Sequence, residues 1–130
     1  MGLFNRRKKR GTDETMQYGA KLITIAKPQN PVSEQFRTVK TNIDFTSVDH
    51  QIKALAFTSA NISEGKSTVT VNTAVTMAQA GKKVLLIDAD LHRPTLHQTF
   101  DIPNRVGLTT ILTSHPNEVD MADIVKEDII

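Results

Sequence analysis

Phe57-Thr-Ser-Ala-Asn-Ile-Ser-Glu-Gly-Lys-Ser-Thr68 is the stretch that decides the fold. An apolar run, Ala54-Leu-Ala-Phe57, leads into it, and Gly65-Lys-Ser-Thr68 opens a segment patterned as a helix. Strand, loop and helix in that order are the setting of a phosphate-binding loop. The flanking elements fix the loop's ends, so backbone N–H groups can converge on phosphate oxygens above the positive end of the helix dipole. Ser63, Glu64, Gly65, Lys66, Ser67 and Thr68 are the candidate nucleotide-binding residues. Lys66 would reach the β- and γ-phosphates, the Ser67 hydroxyl would bind Mg2+, and Gly65 would let the backbone approach closely. Measured against G-x-x-x-x-G-K-[ST], Ala60 stands at the first glycine position. The tetrapeptide alone also fits a plain helix start capped by Ser or Thr; the flanking patterns favour phosphate.

Downstream, Lys66 to Ala80 predicts a helix that stops at Gly81, despite several β-branched residues that weaken its propensity. Val84-Leu-Leu-Ile87 is an unbroken apolar run, the pattern of a parallel strand covered on both faces. The whole is a βαβ unit, right-handed by default. Its second strand ends in Asp88-Ala-Asp90, and in a doubly wound sheet ligands lie beyond the carboxyl ends of the strands. Asp88 and Asp90 are therefore candidate catalytic residues with Lys66. One carboxylate would hold the metal's water shell while the other accepts a proton from an attacking hydroxyl. The alternative is that an Asp caps the turn at Leu91-His-Arg-Pro94.

Upstream, Leu22-Ile-Thr-Ile25 reads as a short strand closed by Pro28. Residues 31–45 read as an amphipathic helix started by Pro31 and Ser33, with Val32, Phe36, Val39 and Ile43 on one stripe. Glu34, Arg37 and Lys40 form a charged row on another face, which could equally be a solvated, weakly paired surface. Residues 104–114 read as a loop and short helix.

Composition bounds the rest. At 130 residues with 38% hydrophobic, 5% aromatic and no Trp, the chain allows one domain with an aliphatic core. Zero Cys excludes disulfides and cysteine-ligated metal, and His50, His92, His97 and His115 lack metal-ligand spacing. Five of the sixteen basic residues lie in Arg6-Arg-Lys-Lys-Arg10, leaving eleven basic and fourteen acidic residues beyond position 10. The basic balance thus belongs to a flexible tail, residues 1–20, and no nucleic-acid partner is expected. That tail would be solvated or touch anionic lipid. With no membrane span or export signal in view, a cytoplasmic location is expected.

Together, Ser59 to Thr68 and Val84-Leu-Leu-Ile-Asp-Ala-Asp-Leu-His-Arg-Pro-Thr95 resemble the paired nucleotide motifs of bacterial tyrosine kinases of capsular and exopolysaccharide synthesis. The Glu34, Arg37, Lys40 row is similar to that family's Glu-x-x-Arg-x-x-Arg helix. The resemblance covers about residues 20–115. It implies an α/β fold, a P-loop NTPase-like doubly wound parallel sheet, with residues 21–130 forming its incomplete N-terminal half. It implies ATP and Mg2+ as cofactors, with Lys66 and Ser67 on phosphates and metal, Asp88 in the metal and base role, and Asp90 in support. It further implies autophosphorylation on tyrosine and ring-shaped self-association through Glu34, Arg37 and Lys40. The implied partner is a membrane-anchored chain-length regulator that activates the kinase, placing it peripherally at the inner face of the plasma membrane. Protein tyrosines would be the substrates.

The sequence departs from the family in several places. Ile62-Ser63 stand where the loop commonly reads Pro-Gly, His92 occupies a usually basic position, and Lys40 replaces an Arg that forks onto a carboxylate. A third motif, an apolar strand ending in Asp, and a C-terminal tyrosine cluster do not appear, Tyr18 being the single tyrosine. The expectation is a C-terminally truncated kinase, itself inactive. Two alternatives stand beside it. One is a partition or division-site ATPase switch, whose loop generally carries a second lysine where Asn61 stands here. The other is a non-catalytic module that only binds a membrane partner.

Overall fold

In the computed structural model the described residues are 20–61 and 65–127. The basic tail and the loop positions Ser63 and Glu64 therefore lie outside them.

The central element is α3, Lys66–Gln79. (In chain order the helices are α1 Ile23–Ala26, α2 Pro31–Thr46, α3, α4 Leu96–Phe100, α5 Leu108–Thr113 and α6 Met121–Ile124.) Its sequence, rich in Thr and Val, is a poor intrinsic helix former, and packing compensates: Val71 to Thr76 are all buried. Its hydroxyls turn back on the helix itself. Thr70, Thr73 and Thr76 each donate to the carbonyl four residues earlier, at 2.7 Å, so polar side chains enter the interior without orphaned protons. The helix ends as its sequence predicts, with Gly81 at φ +86° just beyond.

Helix α2 packs along α3, and α1 touches both. The Asn30 side chain caps α2 by accepting from the Val32 amide at 2.9 Å, and Pro31 occupies the first turn, where its missing N–H costs nothing. The expected apolar stripe is only partly used. Val32 and Val39 remain exposed, and the buried residue of α2 is Ser33. Ser33 Oγ lies 2.7 Å from the Lys27 carbonyl and 3.2 Å from that of Ile23, tying the start of α2 to α1.

One strand reading changes, and the two expected parallel strands are not seen as a sheet among the described residues. Leu22 to Ile25 enters the short helix α1 instead of a strand, because nearby amides find the Leu22 carbonyl (Ile25 N at 3.1 Å, Ala26 N at 2.9 Å) and, among the described residues, no neighbouring strand offers partners. Residues 51–59 and 82–90, which contain both expected parallel strands, form no hydrogen-bonded sheet among the described residues. A strand is held by its neighbours, and two apolar segments that do not pair with each other cannot make a ladder. Nor is the second one covered on both faces: Leu85 is 62% and Ile87 56% exposed.

Candidate functional site

The predicted phosphate loop and the Asp-Ala-Asp turn meet at one end of α3. A hollow of about 370 Å3 opens there, bordered by Phe57, Thr58, Ser59, Ala60, Gly65, Lys66 and Val69. Gly65 is the residue just before the helix and takes φ +83°, the left-handed region that a Cβ penalises. Among the described residues nothing lies within 4 Å of where that Cβ would sit, so backbone conformation, more than close approach, demands glycine here. The Gly65 carbonyl accepts the first helical bond, from Val69 N at 2.9 Å. Lys66, Ser67 and Thr68 occupy the first turn of α3 and are half-buried. In a fourteen-residue helix, that turn concentrates the unpaired amides and the positive dipole end.

Across from it, Lys66 Nζ lies 4.0 Å from Asp90 Oδ2, with side chains 36% and 37% exposed. A pair that long and that wet is worth under about 1 kcal/mol, so a polyphosphate could readily draw the ammonium away. The Arg93 amide beside Asp90 holds its carboxyl below the ordinary value, aided by the His92 amide and the charges of Lys66 and His92, against partial desolvation. Asp90 Oδ1 accepts from those amides at 3.0 and 3.2 Å.

Asp88 is occupied differently. Its Oδ1 accepts from the Asp90 amide at 3.1 Å, and its Oδ2 accepts from Thr95 N at 3.0 Å and Leu96 N at 3.1 Å. It thereby holds both the turn and the first amides of α4. A carboxylate offers about four acceptor positions, so roughly one remains for an outside donor such as a metal-bound water. Both acids thus do the turn-capping that the sequence allowed as an alternative, and Asp90 also faces Lys66. Among the described residues no cluster of three His, Asp or Glu could by itself hold a metal.

The charged row of α2 lies elsewhere. Arg37 is bonded to Glu34 (Nε to Oε2, 2.9 Å) and to the Pro28 carbonyl, while Lys40 pairs with Asp44 at 2.9 Å. Asp44 also accepts from Lys82, joining the end of α2 to the residues after α3.

A family model described as ParA, NUBPL iron-transfer P-loop NTPase, matches residues 51–127, which hold both the phosphate loop and the Asp-Ala-Asp turn. The chain belongs to this ParA-type P-loop NTPase family. Within it, the chain is 55% identical over 91 residues to the tyrosine-protein kinase YwqD of Bacillus subtilis (strain 168), covering 70% of this chain and 38% of that one. It is 43% identical over 101 residues to the putative tyrosine-protein kinase CapB of Staphylococcus aureus, covering 78% and 43%. The tyrosine-protein kinase CpsD of Streptococcus agalactiae matches at 40% over 95 residues, covering 72% and 39%. The chain therefore spans about two-fifths of the length of these relatives. The crystal structure of the chimerical protein CapA2B2 superposes with a TM-score of 0.71 at 36% identity, over 85% of this chain and 52% of that one. The P-loop NTPase fold and a resemblance to tyrosine-protein kinases thus rest on sequence and structure together. The iron-transfer label of the family model finds no thiolates here, since these 130 residues contain no Cys.

Sequence reasoning missed the buried polar set Thr24, Ser33, Asn72 and Thr99. One signal was available: Asn72 stands mid-helix between Val71 and Thr73, where an amide is unfavourable unless something inside requires it.

Proposed function

We propose that this chain carries the nucleotide-binding part of an ATP-dependent, autophosphorylating protein-tyrosine kinase that regulates capsular or exopolysaccharide synthesis. The observation that carries the reading is Lys66 at the first turn of α3, 4.0 Å from Asp90, beside the open hollow at residues 57–60. Lys66 neutralises the β- and γ-phosphates, and Ser67 supplies the hydroxyl to Mg2+. Ser67, with the water shell that Asp88 faces, would hold Mg2+, which would supply positive charge against the negative charge developing on the transferred phosphoryl group. Asp88 uses its remaining acceptor position on the metal's water shell, while Asp90 orients the attacking phenol and takes its proton. Because its carboxyl is a weak base, positioning contributes more to that step than proton affinity. Ser63 and Glu64 belong to the same loop by sequence.

The ion-paired row of exposed Glu34 and half-buried Arg37 and Lys40 is assigned to contacts between copies of the kinase in a ring. The partner is a second, membrane-anchored protein that activates the kinase; the solved neighbour, a chimera whose name joins CapA and CapB, supports the pairing with a second protein. Among the described residues no helix is long and apolar enough to cross a membrane, so attachment would come through that partner or the basic tail.

The test is transfer of labelled γ-phosphate to tyrosine by a version of this chain as long as its relatives. Lys66→Ala should abolish transfer; retention of phosphotyrosine formation in that variant removes the assignment. The match to the ParA family supports a second reading, a nucleotide-driven dimerisation switch. ATP-dependent dimerisation without phosphotyrosine would select it.

A further inference from the structure

The residues before α2 form a strap fastened at three points. The Ala20 amide donates to Thr99 Oγ1 on α4 at 2.7 Å. One turn further on, the strap meets Asn72 on α3. Asn72 is fully buried and every position of its amide is used: Oδ1 accepts from Thr24 N at 3.1 Å and Thr24 Oγ1 at 2.9 Å. Its Nδ2 donates to the Lys21 carbonyl at 2.6 Å and to the Thr68 carbonyl, in the first turn of α3, at 2.8 Å. Ser33 fastens the third point, to the Ile23 and Lys27 carbonyls.

These contacts close a circuit. Lys66 begins α3, Asn72 on α3 holds the strap, and the strap holds Thr99 on α4. The first amides of α4 are bonded to Asp88, two residues from the Asp90 that faces Lys66.

We propose that Asn72 is a positioning residue for the nucleotide site. It sets the separation of Lys66 from the Asp88–Asp90 turn through the 20–27 strap, without touching nucleotide. A buried amide with four partners suits this work, because a fully satisfied polar network admits one register where an apolar contact would slide. The proposal rests on the nucleotide-binding reading above, so the experiment reads geometry and affinity separately.

The chain has no cysteine, so spin labels can be placed singly at Gln79→Cys on α3 and Gln98→Cys on α4. In Asn72→Ala of unchanged helix content, the label-to-label distance distribution should broaden, and affinity for ATP with Mg2+ should fall roughly three- to thirtyfold. Thr24→Val should do the same to a lesser degree, while Thr24→Ser, which keeps the hydroxyl, should restore the parental values. Thr24→Val and Thr99→Val cut one strap, so together they should weaken binding little more than either alone; independent losses of stability would add. A folded Asn72→Ala with parental distances and affinity overturns the proposal. Should Asn72→Ala fail to fold, the Thr24 pair and the double variant decide, and additive effects without rescue overturn it. If the parent binds no ATP yet the distances broaden, the nucleotide reading falls and the strap stands.

Discussion

Replacing Asp88 by Ala separates a structural role from a chemical one. Three backbone amides converge on this carboxylate, from Asp90, Thr95 and Leu96, at 3.0 to 3.1 Å. A hydrogen bond of this kind contributes about 1 kcal/mol net, and an amide left without a partner costs at least as much. The side chain is half-buried, so water can recover part of the loss. The expected destabilisation is therefore about 2–3 kcal/mol, larger than the roughly 1 kcal/mol expected for Asp90→Ala, whose two amide partners are exposed. Asp88→Asn keeps one accepting oxygen and should fall between. Urea unfolding followed by circular dichroism gives the three midpoints at constant slope. Nucleotide affinity measured on the same proteins should fall more for Asp90→Ala than its stability does. If Asp88→Ala is as stable as the parent, the carboxylate is not holding the turn and the reasoning from these three bonds is wrong.

Three further outcomes are expected. Gly65→Ala places a Cβ on a residue at φ +83° and should cost about 1 kcal/mol by thermal unfolding, even though no described atom crowds the position. Val75→Ala removes two methyl groups from a fully buried site on α3 and should cost about 1–3 kcal/mol, read by the same method. In acid, the side-chain bond from Lys82, with that from Lys40, holds the Asp44 carboxyl below its ordinary 3.8. The unfolded chain then takes up this proton at a higher pH than the folded one. The stabilisation is complete above pH 3.8 and shrinks as pH falls below it. Melting temperatures recorded from pH 5 to pH 2 should therefore drop more steeply for the parent than for Asp44→Asn; parallel curves would contradict the pairing.

The helices around the site were legible in the sequence because their signals are local. Asn30 and Pro31 start α2, Gly81 stops α3, and Gly65-Lys66-Ser67 places the loop at a helix entrance. What was not legible depends on partners distant in sequence. Val84 to Ile87 has the composition of a covered strand, yet composition supplies no neighbour to bond with. Leu22 to Ile25 looks β-like until the amides of Thr24 and Ala26 find Asn72 and Leu22. The Asp88–Asp90 pair was found from its position at the end of an apolar run. The division of labour between them, one gripping α4 and the other facing Lys66, follows from a helix start seven residues downstream that spacing alone does not reveal.

Titration calorimetry of ATP with Mg2+ into this chain, beside Lys66→Ala, tests the account most directly. Saturable one-to-one binding to the parent is expected, dependent on Mg2+ and lost in the variant. Equal heats from both proteins, or none from a folded parent, would contradict it.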